Sequence, residues 1–86
     1  MSIIKVSSRS HTKAVAGAIA GTYRDNGHVE VQAIGAGAVN QAVKAAVVAK
    51  GFLAEEGKMI VFVPSFVEVN IDGHERTAIR MTIGPG

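Results

Sequence analysis

Two glycines, Gly35 and Gly37, stand where a short alternating apolar stretch gives way to a helical pattern that lacks acidic residues. Such a strand–turn–helix junction directs backbone N–H groups and the positive end of a helix dipole outward, which suits an anion or a phosphate. Glycine also lets a strand turn sharply into a helix, so a purely structural role is the alternative. The spacing fits neither a P-loop nor a dinucleotide fingerprint, because no Gly-Lys-Ser/Thr and no third glycine follow at the required steps.

Cationic residues gather in two stretches of the chain that contain no acid. No acidic residue precedes Asp25, and none occurs in residues 31–54. The two stretches hold six cations, which are Lys5, Arg9, Lys13, Arg24, Lys44 and Lys50. The net charge is only +2, so the basic character is local. A fold that joins the two stretches presents a basic face typical of nucleic-acid binding, whereas dispersed cations are an ordinary solvated surface.

Catalytic and metal-binding patterns are not evident in the sequence. His11, His28 and His74 lie far apart, without the paired spacing of metal ligands, and the chain contains no cysteine. The serines are not accompanied by an acid and a histidine in a pattern that sequence can identify. We therefore expect a protein that is not an enzyme and that uses no metal or other cofactor.

Length and composition predict one domain over residues 1–86. Hydrophobic residues make up 48% of the chain but aromatic residues only 5%, so the predicted core consists mainly of Val, Ile and Ala. A domain of this size buries only about 60 to 65% of its unfolded surface, and dimerisation would add to that. Lys5, Arg9 and Lys13 interrupt any secretory segment, and the apolar runs are too short to span a membrane. We expect a soluble cytoplasmic protein.

The first half of the chain predicts a strand, a helix and a second strand. Residues 3–6 and 29–34 are the predicted strands, and the helix between them favours a parallel crossover. Ser10 or Thr12 can cap this helix, which ends in a left-handed turn at Gly27. Its predicted buried stripe is Val15, Ala18, Ile19, Thr22 and Tyr23. Two glycines within it predict close packing against a neighbouring element, namely Gly17 and Gly21.

A second helix is predicted at residues 39–49, ending near Gly51. Phe52 and Leu53 are expected to pack back onto the core. The predicted buried stripe of the helix consists of Val39, Ala42, Val43, Ala46 and Val47.

The last part of the chain predicts a β-hairpin. Residues 59–71 are extended, with Pro64 at an edge position or a bulge, and Asp72 and Gly73 form a two-residue turn. The returning strand alternates an apolar set, Thr77, Ile79, Met81 and Ile83, with an outward set, Arg76, Ala78, Arg80 and Thr82. The resulting order βαβαββ predicts an α+β two-layer sandwich, with a mixed sheet and both helices on one face.

Six segments, which together cover nearly the whole chain, resemble one bacterial family. They are KVSSRS, VAGAIAG, VQAIGAGAVNQAVKA, AKGFLA, VPSF and IDGHERTAIRM. On these segments the chain resembles the stage V sporulation protein S family, which is assigned to the Alba-like architecture. The resemblance implies a βαβαββ fold, a dimer, and a small regulatory or nucleic-acid-binding protein connected with sporulation or developmental control.

The resemblance also implies where phosphates bind. In Alba proteins basic residues at the start of the first helix meet phosphates, and Arg9 and Lys13 occupy that region here. Alba proteins extend a basic hairpin toward the minor groove, whereas the tip here carries Asp72 and Glu75 beside Arg76. We expect sequence-independent binding of DNA or RNA through Arg9, Lys13, Gly35, Gly37, Asn40, Gln41, Lys44, Arg76 and Arg80. The alternative is a protein–protein interaction or assembly module in development that does not bind nucleic acid.

Overall fold

The computed structural model describes residues 3–86 and contains two helices and four strands. In chain order they are β1 (Ile3–Val6), α1 (Thr12–Asn26), β2 (Val29–Ala33), α2 (Ala36–Ala54), β3 (Ile60–Ile71) and β4 (His74–Pro85). The strands form one mixed sheet in the order β1-β2-β4-β3. β1 and β2 are parallel, and β4 is antiparallel to both of its neighbours. The predicted order and mixed sheet are confirmed.

The core lies between the helices and one face of the sheet. In the central strands Val31 pairs with Met81 and Val29 with Ile83, and all four side chains are buried. The helices cover this row with small residues, which are Ala16 and Ala20 of α1 and Ala38, Ala42, Ala45, Ala46 and Ala49 of α2. Because alanine allows backbones to approach closely, the helices pack against each other as well as on the sheet.

The start of α1 differs from the prediction. The helix begins directly after His11, whose side chain makes no capping hydrogen bond. Neither predicted cap, Ser10 or Thr12, therefore acts as one. The Ser10 hydroxyl instead accepts a hydrogen bond from the Ser7 N–H at 2.9 Å, which tightens the loop before the helix. The predicted end is confirmed, because Gly27 closes α1 with a φ of 76°.

The interior of α1 also corrects the prediction. A Cβ placed on Gly17 or on Gly21 would meet nothing within 4 Å, so neither glycine serves a close approach. Ala18 is exposed although it was predicted to be buried. The buried residues of the helix are Ala16, Ile19, Ala20 and Tyr23.

The second helix is longer than predicted. It begins at Ala36 and continues through Gly51 to Ala54, so the predicted end near Gly51 is wrong. The extra turn places Leu53 in the core, as predicted. Phe52 is 40% exposed, so its predicted packing onto the core is wrong.

The buried face of α2 is rotated relative to the predicted stripe. Val43 and Val47 are 43% and 56% exposed, so the predicted burial of these two valines is wrong. The helix buries its alanines instead, because they let it lie close to α1 and to the sheet. The valines remain on the outer side of the helix, where no other element of the described chain covers them.

The two last strands form a long hairpin with an unbroken register from Ile60 paired with Pro85 to Ile71 paired with His74. Asp72 and Gly73 have φ angles of 51° and 81°, the backbone of the predicted two-residue turn. Pro64 lies in the edge strand without a bulge, as one of the two predicted alternatives. Of residues 3–86, neither helix combines the length and apolar character that crossing a membrane requires.

Candidate nucleic-acid interface

Both helix N-termini lie at one end of the molecule. Because β1 and β2 are parallel, the loops that lead from them into α1 and α2 leave the same edge of the sheet. β4 runs antiparallel to β2 and pairs Ile79 with Ala33, the last residue of β2, so the hairpin extends past this same edge. We call residues 7–13, 34–44 and 68–80 the loop end. It contains all nine residues that were predicted to contact phosphates.

The N-terminus of α1 is cationic and open. Arg9, Lys13 and Gln41 line a shallow depression of about 460 Å³ at this point. The first turn of α1 contains no acidic residue and receives no side-chain cap. Its first N–H groups therefore remain free to bind an anion beside two exposed cationic side chains.

The N-terminus of α2 depends on both glycines of the sequence motif. Gly35 has a φ of 89°, which L side chains rarely adopt, and it precedes the helix without a side-chain cap. A Cβ on Gly37 would lie 3.0 Å from the Cβ of Ser8, so glycine allows the β1–α1 loop to approach α2. Both glycines therefore have the structural role that the sequence analysis gave as the alternative to phosphate binding. The same turn leaves the first N–H groups of α2 without a side-chain partner.

Gln41 joins the two helix N-termini. Its Nε2 donates to the backbone oxygen of Ser10 at 2.8 Å and to Oγ1 of Thr12 at 3.2 Å. The amide nitrogen thus has two acceptors within the protein, and the remaining oxygen is an acceptor that repels phosphate. Gln41 is suited to positioning the loop, whereas Asn40 and Lys44 beside it are exposed.

Charged groups are paired at the opposite end of the molecule, where both helices finish. Arg24 Nε donates to the two Glu56 carboxylate oxygens at 3.0 and 2.9 Å, and Lys58 lies 3.4 Å from the same carboxylate. The hydrogen bond from Arg24 holds the pKa of Glu56 below its ordinary 4.5. These are the two ion pairs of the described residues. Within residues 3–86, no cation of the loop end has a carboxylate within ion-pair distance.

Residues 68–80 of the β3–β4 hairpin, which we call the hairpin arm, contribute both signs of charge. Arg76 is exposed, but the acidic residues Asp72 and Glu75 are exposed nearby, and Glu68 accepts a hydrogen bond from Thr77 at 2.7 Å. The hairpin tip is therefore not a uniformly cationic arm.

The outward row predicted for β4 is only partly right. Ala78 is buried, and Arg80 is half-buried because its Nη2 donates to Gln32 Oε1 at 2.8 Å. Arg80 therefore lies over the face of the sheet opposite the helices, which we call the open face, and is held there by Gln32.

Two residues near the predicted site were missed, namely Ser8 and Gln32, and Lys5 was named only as one of the six cations of a candidate basic face. Lys5 alternates with the inward Ile4 and Val6 of β1, and that alternation could have placed it on the open face. Gln32 interrupts an otherwise apolar strand, which is a signal for a polar contact. Ser8 carries no such signal, because its approach to α2 depends on the tertiary packing.

The histidines do not assemble into a reactive cluster. His11 and His74 are exposed on different elements, and His28 is half-buried near the start of β2. Among residues 3–86, no three His, Asp or Glu side chains come together to hold a metal ion. What the loop end offers chemically is cationic side chains and free backbone N–H groups, which are suited to binding anions.

Comparisons with known proteins agree with this architecture. The model of the stage V sporulation protein S family matches residues 2–86. Among solved structures the chain is similar to Alba from Thermoplasma volcanium, with a TM-score of 0.67, 15% identity, and coverage of 96% of this chain and 99% of that chain. This structural similarity shows that the chain has the Alba-like fold.

Proposed function

Since this chain belongs to the stage V sporulation protein S family, we propose that it is a small non-enzymatic regulator in sporulation or development that binds nucleic-acid phosphates at its loop end. The observation that carries the proposal is the pair of helix N-termini, both without side-chain caps and joined by Gln41. Cations without carboxylate partners lie around this pair. The Alba-like fold is consistent with such a role.

The chemistry of the loop end favours phosphate over other ligands. Free N–H groups at a helix N-terminus and cations such as Arg9 and Lys13 bind phosphate oxygens without reading bases. Binding of this kind does not depend on the nucleotide sequence. Its affinity falls log-linearly with salt concentration, because the protein releases counterions from the nucleic-acid backbone when it binds.

The first test is fluorescence anisotropy of labelled duplex DNA, single-stranded DNA and RNA, repeated from low to physiological salt. We expect affinity to fall log-linearly with salt, with a slope corresponding to about three or more phosphates. The nucleic acid that binds with the highest affinity is the preferred ligand. Absence of binding to all three at low salt would refute the proposal and favour a protein partner.

Charge reversal locates the site. Lys13→Glu and Lys44→Glu are expected to lower affinity by about tenfold or more at low salt, because each removes a cation and adds an anion at the loop end. Lys50→Glu is the matched control, because it makes the same change on an exposed residue of α2 outside the loop end. Equal losses in all three variants would indicate a net-charge effect and contradict the placement of the site.

The same proposal includes a homodimer formed through the outer side of α2 and the edge strand β3. Large apolar residues are exposed on these two elements. Val43 and Val47 of α2 and Phe66 of β3 lie on the helix side of the sheet, and Val61 and Val63 of β3 lie on the opposite face. The backbone of β3 is unpaired on its outer side, and exposed apolar edge strands are commonly covered by a partner. A second copy fits because a two-fold interface uses the same patch on both subunits, and an 86-residue domain gains buried area it otherwise lacks.

A further inference from the structure

A groove of about 560 Å³ begins on the face of the sheet opposite the helices, where β1, β2 and the hairpin line it, and it continues past the end of β1 to Ser8 and Ala38. One polar row crosses the floor of this groove, because Lys5 pairs with Gln32 and Gln32 pairs with Arg80. Neighbouring strands lie about 4.8 Å apart, so the two cations stand on either side of one amide with their backbones about 10 Å apart.

Arg80 has an unmet requirement in this groove. Its Nη2 donates to Gln32 Oε1 at 2.8 Å, but its Nε is buried and has no hydrogen-bond partner within residues 3–86. Neither Arg80 nor Lys5 is among the ion pairs of the described chain. A buried donor on a charged group normally has an acceptor, so the guanidinium of Arg80 is only partly satisfied by residues 3–86.

The other polar groups of the groove also present donors. Gln32 Oε1 accepts from Arg80, and the Nε2 of the same amide makes no hydrogen bond within residues 3–86. Asn70 Oδ1 accepts from the Gly73 N–H at 3.1 Å, which leaves the Asn70 amide nitrogen free. None of the residues from 3 to 86 that line the groove is acidic. An anion with further acceptor atoms therefore matches it.

Aliphatic side chains make up much of the rest of the lining, among them Ile3, Ile34, Val69 and Ile71, and Ser7 and Ser8 lie at one end. Phosphate alone would leave these aliphatic side chains exposed, and a simple alkyl acid would leave the two amides without acceptors. A nucleobase has apolar faces and acceptor atoms on its edge, so it satisfies both features. The volume of the groove also falls in the range of small-molecule sites.

We propose that this groove binds one nucleotide, with its phosphate on Lys5 and Arg80 and its base between the aliphatic side chains and the two amides. A free nucleotide and one unit of a single strand share this chemistry. The proposal does not require the loop end to bind a polynucleotide.

The test is a titration of the ¹⁵N-labelled full chain with AMP, followed by amide chemical shifts. AMP is expected to shift residues 3–8, 32–34 and 69–71, and to bind at least tenfold more tightly than adenosine or inorganic phosphate. Lys5→Gln is expected to weaken AMP binding by about tenfold, because it removes a charge-assisted contact. Lys50→Gln makes the same change outside the groove and is expected to bind AMP as the wild type does.

Gln32→Glu is the sharpest variant. It places a carboxylate against Arg80, so the protein is expected to keep its thermal stability and lose AMP binding. Retained AMP affinity in Gln32→Glu, shifts confined to residues 9–14, or no shifts at millimolar AMP would each overturn the proposal.

Two further arms identify the source of the nucleotide and separate this proposal from the phosphate site. Displacement of AMP by an A4 tetranucleotide assigns the groove to a strand, and continued AMP binding in its presence assigns it to a free nucleotide. Lys13→Glu is expected to impair polynucleotide binding and leave AMP in the groove. The two proposals can therefore fail separately.

Discussion

At the scale of single residues, Glu56 shows how local chemistry sets a pH dependence. The Arg24 guanidinium lowers the pKa of Glu56 below 4.5, so the folded state favours the ionised carboxylate. The unfolded chain binds this proton first as pH falls. The stabilisation is therefore complete above about pH 4.5 and disappears as pH falls through the lowered pKa of the folded state.

We predict that Glu56→Gln lowers the melting temperature at pH 7 and that the difference from wild type disappears in strong acid. The pair is exposed, so the effect is small and decreases with salt. Thermal unfolding followed by circular dichroism at several pH values measures it. Glu55→Gln is the control, because Glu55 is exposed and has no ion pair within residues 3–86. A melting difference that stayed constant from pH 7 into acid would rule out this linkage.

Single residues also show what sequence reasoning could locate and what it could not. The glycines at 35 and 37 and the cations at 9 and 13 could be placed at helix N-termini, because glycine, charge and periodicity are local signals. The contacts of Gln41 and Arg80 could not be predicted. Each depends on a partner about 30 or more positions away, which only the folded chain brings within hydrogen-bond distance.

At the scale of elements, the two glycines inside α1 reduce stability without a compensating contact. Gly17 and Gly21 lie in a helix, and a Cβ on either would meet nothing within 4 Å. Alanine is favoured over glycine at such positions by about 0.5–1 kcal/mol. We predict that Gly17→Ala and Gly21→Ala each raise the free energy of unfolding by about this amount, as measured by urea denaturation.

Gly37→Ala is the matched comparison, because it is also a glycine in a helix. There the new Cβ would press on Ser8, so we expect no stabilisation and a displaced β1–α1 loop. If Gly17→Ala and Gly21→Ala destabilised the protein, α1 would have a neighbour that the single chain does not show.

Element orientation was harder to predict than element order. In α2 the alanine and valine positions form overlapping helical stripes, and the rule that larger apolar residues are buried selected the valines. The wrong choice follows from packing, because α2 lies close enough to α1 and the sheet that alanine is the side chain that fits. Which face of α2 is buried, and hence the exposure of its valines, is therefore set by the packing of the whole molecule.

At the scale of the whole molecule, the position of both helix N-termini at one end follows from topology. A parallel β1–β2 pair places both helix N-termini at one end, and the sequence supplies acid-free segments that lead into both helices. That arrangement could be predicted from the order of elements. The groove beside Lys5 and Arg80 could not, because it requires the long hairpin to bring Val69 and Ile71 near β1.

The exposed apolar edge of α2 and β3 leads to the last prediction. If the proposed dimer forms, Val47→Glu and Phe66→Glu are each expected to convert it into a monomer, because each would bury a charge in the proposed two-fold interface. Both side chains are more than half exposed in the single chain, so the fold itself is expected to tolerate the change. Light scattering coupled to size-exclusion chromatography measures the mass, and circular dichroism verifies folding.

Ala18→Glu is the control, because it places the same charge on an exposed position of α1 away from this edge. It is expected to leave the dimer intact. A dimer also joins two loop ends in one particle, so the monomeric variants are expected to lose affinity for long nucleic acids more than for short ones. A wild-type protein that remained monomeric at high concentration would contradict the interface, and the valines of α2 would then require another partner.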